Sequence, residues 1–227
     1  MPNCVSHSLL DPVLTGPLKK SLYPRLKIPA RFPPEGIVMI GHLAALAGAI
    51  GFACASRWWW GGVLAAAGVV LNHTSDVLDG THARATNQCR NGSELLDHFV
   101  DPLSFSYWVA GMSYAADCLL LGIGGVIVIY AMAVLTNIKS KMVGEFTLAR
   151  FGPTKFKTLL VLFGLTISTF VGGWRITTDA AQRMTFCFVL VLFLAGLVQL
   201  KLSLRRAIRE VNAEGAAPDT TEWQIGE

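Results

Sequence analysis

Six stretches of the chain are apolar almost throughout, at approximately 37–56, 58–78, 98–117, 118–137, 157–174 and 184–203. Each has close to the roughly 20 residues that a helix needs to cross a hydrocarbon core. Strand-like alternation is absent, and closed helices satisfy their own backbone groups in lipid, so the pattern predicts six transmembrane helices. Small residues recur within the runs, as in GHLAALAGAIG and GIGGVIV, and let helices approach closely. The expected fold class is therefore all-α: a polytopic membrane protein with a short N-terminal interfacial segment. Its expected organisation is a basic N-terminal segment at 1–36, a six-helix membrane domain at 37–209 and a flexible polar tail at 210–227. The tail, from VNAEGAAPDTTEWQIGE at 211 onward, is too polar to join the membrane domain.

Composition agrees. Of 227 residues, 52% are hydrophobic and 15% charged, where a soluble domain would be about a quarter charged. The net charge of +4 does not point to nucleic acid, because the cations sit between apolar runs. With the N-terminus in the cytoplasm, 16 of the 19 lysines and arginines lie inside, and only Arg57, Arg175 and Arg183 lie outside. The positive-inside rule selects that topology, with both termini cytoplasmic and the Trp58-Trp59-Trp60 block at the outer interface. ACAS at 53–56 resembles a signal-peptidase site, but cleavage there would remove the first of the six helices. Residues 17–31, PLKKSLYPRLKIPAR, are either a short helix on the anionic inner leaflet, broken at Pro24, or an ordinary basic flank. The five cysteines show no zinc or CxxC spacing and read as free thiols.

One stretch departs from this pattern. Residues 76–101, DVLDGTHARATNQCRNGSELLDHFVD, carry five acids, two arginines and two histidines between nearly uncharged flanks. Asp76 and Asp79 are three apart at the end of the second run; Asp97 and Asp101 are four apart at the start of the third. Both spacings put side chains on one helical face, and the short loop between the runs brings the pairs together. Converging carboxylates repel one another and are costly to desolvate. A hard divalent cation, Mg²⁺ or Mn²⁺, resolves both problems, and four carboxylates suit two ions or one ion and a base. Gly80 permits close backbone approach, Ala83 leaves space, and Arg84 offers a fork to phosphate or to the carboxylates. Metal, arginine and a tight glycine together suggest a diphosphate ligand.

The same residues carry a resemblance. The run resembles the membrane CDP-alcohol phosphotransferases, or CDP-alcohol phosphatidyltransferases, whose motif reads D-x2-D-G-x2-A-R-x8-G-x3-D-x3-D. Asp76, Asp79, Gly80, Ala83, Arg84, Asp97 and Asp101 fall in register, and the one departure is Ser93 in place of the second glycine. FGPTKFKT at 151–158 is similar to the family's entrance to its fifth span. The resemblance implies a two-metal site with Asp76, Asp79, Asp97 and Asp101 as ligands, and Asp101 as the base for the acceptor hydroxyl. It implies a cytidine diphosphate pocket lined by Gly80, Ala83, Arg84 and the Ser93 position. The implied reaction is attack of an alcohol on the substituted phosphorus of a CDP-linked donor, with CMP leaving, in phospholipid synthesis. Homodimers that pair through spans are also implied, with the glycine-rich third and fourth helices as candidates.

Two clues bear on the substrate and point different ways. DHFVD at 97–101 resembles the DHxxD form of the branch that joins CDP-choline or CDP-ethanolamine to diacylglycerol, with His98 assisting proton transfer or orienting Asp101. The basic loop at 139–157 suits an acceptor phosphate or anionic headgroup held by Lys155 and Lys157, or is a positive-inside anchor. The short chain favours a compact bacterial-type inner-membrane enzyme with CDP-diacylglycerol as donor. A divalent cation transporter is the competing class, but it predicts polar groups along the remaining spans, and the fourth and sixth show almost none. A catalytically dead relative would have lost an aspartate, and all four are present.

Overall fold

A computed structural model of the chain describes residues 3–5, 11–147 and 152–215. Arg150 and Phe151 of the basic segment, and the tail from 216 onward, lie outside the described residues. The described chain is helical apart from two three-residue strands, β1 (Asn3–Val5) and β2 (Glu145–Thr147), paired in parallel. The helices are α1 (Asp11–Pro17), α2 (Tyr23–Leu26), α3 (Pro34–Cys54), α4 (Trp59–Ala85), α5 (Asn91–Ala115), α6 (Leu119–Val143), α7 (Pro153–Gly172) and α8 (Thr178–Glu214). A π-helical turn, Leu18–Leu22, joins α1 to α2.

Among the described residues, four helices rather than six are both long and apolar enough to cross a membrane: α3, α6, α7 and α8. This corrects the count of six spans. The runs at 58–78 and 98–117 do form helices, of 27 and 25 residues. Their length is sufficient, but polar side chains at 72–76 in α4 and 97–107 in α5 dilute the hydropathy. Those polar groups turn inward: Asn72, Ser75, Ser104 and Ser106 are all buried. The outer helices show the reverse. α6 exposes Leu120 and Ile127, and α8 exposes Val191 and Val198, each by more than half of its surface. Apolar faces of that extent suit lipid as solvent. The protein is an integral membrane protein by fold and composition.

Close approach of α3, α4 and α7 positions the acidic motif. A Cβ on Gly68 would lie 2.5 Å from the Gly48 Cα, and a Cβ on Gly62 would collide with the Gly164 carbonyl oxygen. Trp108 of α5 is fully buried, and its indole N–H donates to the Ala45 carbonyl at 3.0 Å, tying α5 to α3. The core continues through Phe52, Met112, Leu160, Ile167 and Val189. Gly111 of α5 packs on Ala49, and the glycines of α6 pack within the chain too: Gly122 on Ser113, Gly124 on Phe193 and Gly125 on Val109.

Several boundaries differ from the sequence expectation. Pro24 does not break the N-terminal helix, because it occupies the first turn of α2, where a missing N–H costs nothing. The helix ends instead at Lys27, whose φ of 47° is left-handed. Both ends of the basic loop are helical: Lys139 and Lys141 extend α6, and Lys155 and Lys157 form the first turns of α7. Helix α8 runs to Glu214, past the expected start of the flexible tail. An ion pair between Lys139 and Glu210 joins the ends of α6 and α8.

Candidate active site

Asp76, Asp79, Gly80, Ala83 and Arg84 occupy the last three turns of α4, and Asp97 and Asp101 the first three of α5. The five residues 86–90 connect them, with Asn87 in the left-handed region (φ 56°) and the Gln88 N–H returning to the Ala83 carbonyl at 2.9 Å. The two acidic pairs therefore meet at one end of the bundle. Asp76, Asp97 and Asp101 line a single cleft together with Asn72, Val38, Gly41 and Val100. Asp79 is buried one turn beyond Asp76, within electrostatic reach of Asp76 and Asp101, and accepts from the Gly80 N–H at 2.5 Å.

Lys157 completes the arrangement. Its ammonium lies 2.8 Å from Asp76 Oδ2 and 3.5 Å from Asp101 Oδ1. The side chain is 3% exposed, so the pairing takes place away from water, where Coulomb attraction is strong. The sequence offered Lys157 to an acceptor phosphate; the structure engages it with the aspartates. Lys155 sits two residues earlier on α7, half-buried. Arg84 is exposed, and its guanidinium nitrogens lie 3.3 and 3.4 Å from where a Cβ on Gly80 would sit. Glycine at 80 thus leaves room for the fork of Arg84, with Ala83 buried on the same helical face.

Ser93 is not open to a ligand in this conformation. Its hydroxyl donates to Glu35 Oε1 at 2.6 Å, and Arg90 stands 3.8 Å from the same oxygen. The serine hydroxyl at the glycine position therefore ties the start of α5 to the start of α3. His98 is exposed, one turn before Asp101 and within its electrostatic reach. His82, by contrast, is fully buried and structural: it pairs with the Tyr23 hydroxyl at 3.0 Å and the Phe32 carbonyl at 2.9 Å.

Two features of the site were not visible in the sequence: the pairing of Lys157 with the aspartates, and Asn72. Lys157 reaches Asp76 across 81 positions, which no local spacing reveals. Asn72 stands one turn before Asp76, a spacing that could have flagged it; it is buried, and its Oδ1 has no hydrogen-bond partner. Four carboxylates and an unsatisfied amide oxygen, with one lysine to oppose them, form a donor set that suits a hard divalent cation. Among the described residues, no three His, Cys, Asp or Glu side chains are close enough to hold one ion by themselves.

The structure thus places an acidic cleft at one end of a helical bundle whose outer faces are apolar. Residues 36–204 match the CDP-alcohol phosphatidyltransferase family, and the chain belongs to that family. Its class of activity is transfer of a substituted phosphate group from a CDP-alcohol to an alcohol, within phospholipid biosynthesis. No curated protein matches the chain.

Proposed function

We propose that the protein transfers the phosphatidyl group of CDP-diacylglycerol to an alcohol hydroxyl, releasing CMP, at the cytoplasmic face of the membrane. The observation that carries this reading is the cleft in which Asp76, Asp97 and Asp101 face one another with Lys157 between two of them. The acceptor oxygen forms a bond to the phosphorus that bears the lipid, the bond from that phosphorus to the CMP oxygen breaks, and CMP departs with the electron pair. The acceptor's proton passes to the Asp101 carboxylate, which is 28% exposed as a side chain and so open to the incoming alcohol. Asp76, Asp79, Asp97 and Asp101 would hold Mg²⁺ or Mn²⁺, which when bound offsets charge on the diphosphate. Arg84, beside Gly80 and Ala83, grips the diphosphate with its two-pronged fork. Lys157 keeps Asp76 and Asp101 facing each other and limits their repulsion. His98, exposed beside Asp101, offers a path for the proton to water.

The test offers purified protein, with Mg²⁺ or Mn²⁺, CDP-diacylglycerol and a panel of alcohols, then CDP-choline or CDP-ethanolamine with diacylglycerol, and measures CMP release. Release from CDP-diacylglycerol supports the proposal. Release only from the CDP-aminoalcohols would assign the chain to the branch that DHFVD resembles. Conduction of divalent cations with no CMP from any pair would favour a transporter. Asp101→Asn is expected to reduce turnover by about 10²–10⁴-fold, the contribution typical of a general base; full activity in that variant would remove Asp101 from the role.

A further inference from the structure

Asn72 has two chemically distinct ends, and the structure accounts for only one. Its Nδ2 donates to the Gly41 carbonyl at 3.2 Å. A carbonyl can only accept, so the amide nitrogen must face it, and the orientation of the side chain is fixed. The other end, Oδ1, is left with no hydrogen-bond partner, although the residue is only 4% exposed. An orphaned buried acceptor is costly unless something occupies it.

Three observations point to a cation ligand. Asn72 lines the same cleft as Asp76, Asp97 and Asp101. It stands four residues before Asp76, on the same face of α4. The acids, meanwhile, leave the coordination shell short, since no three of the described His, Cys, Asp or Glu side chains converge on one ion. A hard cation of the Mg²⁺ class prefers about six oxygens. A further carboxylate would add repulsion to a site where Lys157 makes direct ion pairs with two of the four aspartates. An amide oxygen adds a ligand without adding charge.

We propose that the side-chain oxygen of Asn72 is a ligand of the divalent cation, in addition to the aspartates. The inference rests on the reading of the cleft as a metal site. Its experiment uses full-length protein in detergent without nucleotide, and reads Mn²⁺ and Cd²⁺ affinity by calorimetry for wild type, Asp76→Asn, Asn72→Leu, Asn72→Asp and Asn72→Cys. Asn72→Leu is expected to weaken Mn²⁺ at least about ten-fold, the lower end of what losing a supporting group at a metal site costs. Asn72→Asp, which keeps an oxygen but cannot donate to Gly41, is expected to bind Mn²⁺ at least as tightly as wild type. Asn72→Cys is expected to lose Mn²⁺ affinity and gain Cd²⁺ affinity over the wild-type background, because thiolate prefers the softer ion.

A purely structural Asn72 gives a different result: Asp and Leu variants weakened alike, and no gain of Cd²⁺ in the cysteine variant. That outcome overturns the inference. Wild type that binds Mn²⁺ and loses it on Asp76→Asn, while all Asn72 variants match wild type, overturns the Asn72 assignment and leaves the metal site standing. Wild type that binds no divalent cation overturns both.

Discussion

Lys157 is the residue on which the electrostatics of the cleft turn. Its ammonium is buried between Asp76 and Asp101, and a buried pair is costly to break from one side because the remaining charge is left unpaired. Lys157→Met is therefore expected to destabilise the metal-free protein by roughly 3–5 kcal/mol, read as a lowered thermal midpoint in detergent. Adding Asp76→Asn to that variant is expected to recover part of the loss, and a Lys157→Met protein as stable as wild type would contradict the pairing. The four aspartates were legible in the sequence because spacings of three and four report a helical face without any tertiary information. Lys157 was offered there to an acceptor phosphate and not to the aspartates, and Asn72 was not singled out: one pairs across 81 positions, and the other is distinguished by the unsatisfied oxygen that burial creates.

Helices α3 and α4 act as a unit because small residues let their backbones touch, and α7 joins them at Gly62 and Gly164. Gly62→Leu has nowhere to place its side chain without parting α4 from α7, which would also withdraw Lys157 from Asp76. The expected outcome is a protein that unfolds at a lower temperature and loses CMP release together; loss of neither would contradict the packing. The N-terminal arm is tied to α4 through buried His82, which meets both Tyr23 and Phe32. His82→Ala is expected to free that arm, so that trypsin cuts at Lys19, Lys20 and Arg25 faster than in wild type; unchanged cleavage would show the arm is held by other contacts. Hydropathy found all six long helices, and placed both ends to within four residues for α3 and α7. It fell short at the ends where α4, α5, α6 and α8 continue into polar and charged turns. Runs of lipid-facing side chains report the membrane's thickness, whereas hydrogen bonding carries a helix on beyond it.

Across the whole molecule, charge and aromatic residues divide the bundle into two ends. From Trp59 to Asp76 along α4 is 17 residues, or about 26 Å at 1.5 Å per residue, close to the thickness of a hydrocarbon core. Trp58 and Trp60 stack, with ring centroids 5.6 Å apart, at the end of α4 remote from the aspartates. The proposed orientation places those rings at the outer interface and the aspartates inside. Exposed Cys89, in the loop between α4 and α5, provides the check. In a protein whose other cysteines are replaced, Cys89 is expected to react with a membrane-impermeant maleimide only after the membrane is opened. Reaction in intact cells would invert the topology. The central claim, that the acidic cleft holds divalent metal against a cytidine diphosphate, has one most direct measurement: an anomalous-scattering map at the manganese edge, from crystals soaked in Mn²⁺ and a CDP-alcohol. The account predicts peaks among Asp76, Asp79, Asp97 and Asp101, in contact with the diphosphate. Ordered nucleotide bound elsewhere, with no peak in the cleft, would contradict it.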